Sequence, residues 1–120
     1  MGGMHMSANS IAREKSLAFA VRIVHLYRYL CSEQNEFVLS KQVLRSGTSV
    51  GANLTEAIYG SSRKDFVAKL RISLRECAET LYWLELLHIC NYLPDALYRS
   101  LFQDCEELRR ILIASIKTSG

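Results

Sequence analysis

The chain has 120 residues, of which 49% are apolar, with one proline and six glycines. A chain this long folds as one domain and buries roughly two-thirds of the surface that its unfolded form exposes, so it needs no metal or disulfide. The net charge of +3 excludes a strongly basic nucleic-acid binder, and no apolar run approaches the ~20 residues of a membrane span or forms a signal-peptide core. The charge is unevenly spread. Residues 61–75 hold five basic side chains and one acidic, whereas the stretch after them is net acidic, so an anionic partner is expected to prefer the middle of the chain. Cys31, Cys77, Cys90 and Cys105 lie far apart, with no CxxC and no histidine at metal spacing. They read as reduced, mostly buried thiols of a cytoplasmic protein.

The opening MGGMHMS belongs to a segment, residues 1–9, that is expected to be flexible. A first helix is predicted from Ser10 to Cys31. Leu17, Ala20, Val21, Val24, Tyr27, Leu30 and Cys31 recur at helical spacing in it, and a second apolar row comprises Phe19, Ile23, Leu26 and Leu30. Only a narrow polar strip of Lys15, Arg22, His25 and Arg28 is left. A helix in a monomeric bundle buries one face, so this nearly all-round pattern predicts a second burial surface.

A second helix is predicted from Val38 to Tyr59 with Leu39, Val43, Ser46, Val50, Leu54 and Ala57 inward. It contains RSGTSVGANLTEA, Arg45 to Ala57, where two interior glycines each cost about 1 kcal/mol relative to alanine and so call for close packing. Gly60 is expected to end it in a left-handed conformation. Ser62-Arg63-Lys64-Asp65 then reads as a capping box, the serine accepting from a free amide and the aspartate reaching back.

The third helix, Arg63 to Cys90, carries an inward stripe of Phe66, Leu70, Leu74, Cys77, Leu81, Leu84 and His88. Asn91 to Asp95 is a turn around Pro94, and a fourth helix, Asp95 to Lys117, turns Leu97, Leu101, Leu108, Leu112 and Ile116 inward. Four long helices with short connections make an all-α, antiparallel up-down-up-down four-helix bundle the economical fold, a single domain over residues 10–118. A helix hairpin turning near Gly60 places Arg45 near Glu76, and Lys41 near Glu79.

RSGTSVGANLTEA, followed by SRKDFVAKLRISLREC and ETLYWLELL in that order and spacing, resembles the bacterial four-helix bundle proteins related to those encoded in 23S ribosomal RNA intervening sequences. The resemblance covers about Val38 to Leu93. It implies a cytoplasmic bundle that forms homo-oligomeric rings, commonly pentamers, and it brings no catalytic residues. A related branch serves as an accessory protein to reverse transcriptases of diversity-generating retroelements and binds nucleic acid through a basic surface. The family's helix-two motif maps onto Arg45, Ser46, Gly47, Asn53 and Glu56. Many relatives have a glycine straight after that glutamate, where this chain has Ala57 and a longer IYGSS connection.

The candidate nucleic-acid site is the basic run Arg63, Lys64, Lys69, Arg71 and Arg75, in which Lys64, Arg71 and Arg75 share one side of a helix at a spacing able to follow a phosphate backbone. The alternative is a solvated face, since no aromatic is interleaved within that stripe. Arg45, Asn53, Glu56, Glu76 and Glu79 form a second group, read as a polar network within the bundle or at a subunit interface. Tyr82-Trp83 reads as packing or interface. Glu85 and His88 match half of a di-iron motif whose second half is missing, so a structural histidine is expected and no metal or cofactor. Ser61 to Lys64 also contains SxxK, which capping explains without chemistry. The sequence therefore predicts a non-catalytic, homo-oligomeric module that binds RNA or DNA through its basic surface. The alternative is a structural or protein-interaction module docked through the first helix and the Trp83 region.

Overall fold

The computed structural model describes residues 7–119, which form four α-helices: α1 (Ala8–Ser32), α2 (Leu39–Ile58), α3 (Arg63–Ile89) and α4 (Asp95–Ser119). Most of the expected flexible segment therefore lies outside the described residues. Short connections force consecutive helices antiparallel, and each helix packs on its sequence neighbours while α4 returns to α1, closing an up-down-up-down bundle 48 × 28 × 19 Å in extent. The long axis matches helices of 20 to 27 residues at about 1.5 Å per residue.

The helix ends explain the boundaries. α1 starts two residues earlier than expected because the Ser7 hydroxyl accepts from the Ser10 amide. At the start of α2, where Val38 offers no side-chain cap, the Glu36 carboxylate accepts from the amides of Val38, Leu39 and Ser40 at 2.7 to 3.3 Å. An acid there also answers the positive end of the helix dipole. Only half of the capping box forms before α3: Ser62 Oγ accepts from the Asp65 amide at 3.1 Å, but the Asp65 carboxylate is taken by the Ser61 hydroxyl at 3.0 Å instead of reaching back.

Gly60 is not left-handed; that conformation falls to Asn35 and Asn91, just beyond α1 and α3. The space at position 60 is tight instead, since a Cβ there would lie 3.2 Å from the Ala57 carbonyl oxygen.

Phe19, Ile23 and Leu30 of α1, Val43, Val50 and Leu54 of α2, Leu70, Leu84 and Leu87 of α3 and Leu101, Leu108 and Leu112 of α4 build the core. In α1 the row that turns inward is Ala12, Ser16, Phe19, Ile23, Leu26 and Leu30. Leu17 and Val21 of the other row stay 53% and 49% exposed. The stripe on α3 is also rotated from its expected position: Ser73, Thr80 and Leu87 are buried with Leu70, Cys77 and Leu84, while Phe66, Leu74 and Leu81 are only partly covered. Small polar side chains face α2 because its backbone comes close there. Cys77 and Cys105 meet in the core, with Cys105 Sγ donating to the Cys77 carbonyl oxygen at 3.6 Å. The neighbouring Cys77 thiol, together with burial, pushes the Cys105 thiol far above its ordinary value.

Candidate nucleic-acid interface

The RSGTSVGANLTEA segment packs through two opposite sides. Gly47 and Gly51 lie against α1, where a Cβ on Gly47 would sit 2.8 and 2.9 Å from Ile23 side-chain carbons and one on Gly51 would sit 2.9 Å from Ser16 Oγ. The other side meets α3 through polar groups. Ser73 Oγ donates to the Val50 carbonyl at 2.7 Å, and Thr80 Oγ1 donates to Ser46 Oγ at 2.9 Å, both buried. Nearer the surface Arg45 pairs with both Glu76, at 3.4 Å, and Glu79. Lys41, expected near Glu79, has no ion-pair partner among the described residues; Glu79 pairs with Arg45.

The hydrogen bond to Glu79 raises the Arg45 pKa further above its already high ordinary value. The Trp83 indole N–H, at 3.0 Å, holds the Glu79 carboxyl below its usual range; partial burial works against this, and Arg45 adds to the lowering. Farther along the same seam Lys69 pairs with Glu56 at 2.7 Å. Asn53 joins neither pair and donates to the Ser49 carbonyl of its own helix. The five polar residues of the second sequence group thus form two separate ion-pair clusters and one local hydrogen bond. They tie α2 to α3.

This seam removes one cation from the basic run, and a helix end removes another. Lys69 is engaged by Glu56, and Arg63 donates from Nη1 to the Ser119 carbonyl at 2.7 Å, satisfying a carbonyl in the last turn of α4. Lys64, Arg71 and Arg75 remain exposed on the outward side of α3, with no ion pair among the described residues. Helical periodicity aligns them on one ridge. The same ridge continues through Tyr82, seven residues past Arg75 and 57% exposed. The run of basic residues stops at Arg75, and Tyr82 adjoins Trp83 in sequence, yet the offset of seven places the tyrosine with the cations.

On the far side of the bundle, a groove of about 310 Å³ runs between α1 and α2. Leu17, Ala20, Gly51 and Ala52 supply its apolar lining, and Arg13, Thr48 and Thr55 its polar part. The Arg13 Nε is buried there without a hydrogen-bond partner.

The family model for the 23S rRNA-intervening sequence protein matches residues 8–114. The chain belongs to this family. A solved structure from Bacteroides thetaiotaomicron, described as a protein of unknown function from the S23 ribosomal protein family, is 51% identical and superposes with a TM-score of 0.91, over 92% of this chain and 99% of that one. No protein of curated function matches.

The remaining sequence candidates have local explanations. His88 Nε2 lies 3.2 Å from Asp95 Oδ1, and its ring stacks on Tyr98 at 4.1 Å, which fastens the α3–α4 turn. Glu85 is exposed on another side of α3. Among the described residues no three His, Cys, Asp or Glu side chains gather at metal-binding spacing, and no helix is long and apolar enough to cross a membrane.

Proposed function

We propose that this chain is a non-catalytic cytoplasmic module that binds nucleic acid through the outward ridge of α3. One observation carries the reading: Lys64, Arg71 and Arg75 stand exposed on a single ridge without carboxylate partners, while most other cations of the bundle are paired or capping. Such a row matches a phosphate backbone and carries no base information by itself. The test is binding of a labelled oligonucleotide across a salt series. Affinity is expected to fall steeply with salt, and Arg71→Glu/Arg75→Glu to lower it at least tenfold with a shallower salt slope. Equal binding by wild type and the double variant, or none by either, would defeat the reading.

A second feature supports association between copies. Leu17 lines the α1–α2 groove and Val21 stands exposed one turn further along α1; the groove lining includes no carboxylate, so a second copy covering this face would bury aliphatic surface and offer an acceptor to Arg13. A ring would repeat the α3 track on each subunit and strengthen a weak individual contact. Light scattering is expected to give a multiple of the 13.7 kDa chain mass, and Leu17→Glu/Val21→Glu to give the monomer. A wild-type monomer at high concentration would remove this second feature.

A further inference from the structure

We infer that the α3 ridge takes single-stranded nucleic acid, with Tyr82 as the surface on which a base stacks. The inference rests on the proposed phosphate track and adds to it the identity of the strand. Along α3, Arg71 and Arg75 are about 6 Å apart and Tyr82 lies about 10 Å beyond Arg75, so the phenol follows the cations at nucleotide-scale spacing. A strand whose phosphates lie on Lys64, Arg71 and Arg75 arrives at Tyr82 with its next bases. Only unpaired bases can use that contact. In a duplex the faces of the bases are stacked on one another, so the ring is left with sugar edges while the cations still find phosphate.

The ring is also built to be rigid. Tyr82 packs against Trp83 edge to face, with centroids 5.1 Å apart and planes at 71°, and so keeps a face open to solvent. Trp83 is itself partly buried against the core and tied through its indole N–H to Glu79, which Arg45 of α2 holds in turn. An exposed aromatic fixed in this way is paid for in advance, in that little side-chain entropy is lost when a base arrives.

The test compares fluorescently labelled single-stranded DNA, single-stranded RNA of the same sequence and the corresponding DNA duplex, each binding to wild type, Tyr82→Ala, Tyr82→Phe and Arg71→Glu/Arg75→Glu. Wild type is expected to prefer both single strands over the duplex. Tyr82→Ala should lose about tenfold on single strands and almost nothing on the duplex, Tyr82→Phe should keep wild-type affinity, and the arginine variant should lose binding to all three. Trp83 is the only tryptophan in the chain, and its fluorescence should change when a single strand binds wild type but not when the duplex does. Equal affinity for strand and duplex, with Tyr82→Ala unchanged, would overturn the stacking role and leave the phosphate track standing. Absence of binding by wild type would take away both. A change in sedimentation for Tyr82→Ala would assign the ring to a contact between copies, which also overturns the inference.

Discussion

The two sides of α2 hold their neighbours by opposite means. Toward α1 the helix has removed side chains: Gly47 and Gly51 let Ile23 and Ser16 come almost to the backbone, and the contact consists of shape and dispersion. Toward α3 it keeps polar side chains, with Ser46, Arg45 and Glu56 each meeting a partner on the facing helix. The apolar contact tolerates no added volume. The polar one tolerates the loss of an outer pair, because water replaces what an exposed ion pair gives up, but not the loss of a buried hydroxyl's partner.

Substitutions can break this comparison in graded steps. Gly47→Val should have the largest effect, about 3 kcal/mol of lost stability by denaturant unfolding, since the new carbons fall on an Ile23 side chain that is fully buried and cannot swing aside. Ser73→Ala on the other side should cost about 1 kcal/mol, the ordinary net value of one buried hydrogen bond. Lys69→Ala should lie within ~0 to 1 kcal/mol, as expected for an exposed pair with Glu56. A ranking in which Lys69→Ala exceeds Gly47→Val would reverse the assignment of the two sides.

Acid titration sharpens the polar side further. The Glu79 carboxyl is held below its ordinary value of 4.5, so its contribution is fully present above that pH and is lost as the pH falls through the lowered folded value. The melting-temperature gap between wild type and Glu79→Gln should therefore be constant near neutrality and close below about pH 4. A gap that persists in strong acid would show that the charge of Glu79 is irrelevant to the seam. The smallest effect concerns the thiols. Native protein treated with a thiol reagent should react first at exposed Cys90, with Cys77 and Cys105 last, as their burial requires.

Much of this architecture is written in local pattern. Helical periodicity, the Ser62 cap, the turn around Pro94 and the short connections specify four antiparallel helices, because each depends on residues within a turn or two of one another. The inward row of α2 also follows from periodicity, as Val43, Ser46, Val50, Leu54 and Ala57 are buried, with Leu39 at its start partly covered. The bundle's contact partners are a different matter. Two apolar rows in α1 look equally fit for the core, and only the approach of Gly47 to Ile23 and Gly51 to Ser16 decides that the Phe19–Ile23–Leu26 row turns inward and that Leu17 and Val21 face solvent.

The candidate site divides in the same way. Lys64, Arg71 and Arg75 can be aligned from their offsets alone, and Tyr82 could have been added by the same count. That Arg63 is engaged by the end of α4 and Lys69 by Glu56 depends on residues 56 and 13 positions away in sequence. Sequence by itself determined the helices and the family they belong to, since hydrogen bonds and hydrophobic periodicity act along one helix. Only the tertiary structure decided which cations stay unpaired and which apolar row meets water, because both are set by side chains that folding brings together from distant parts of the chain.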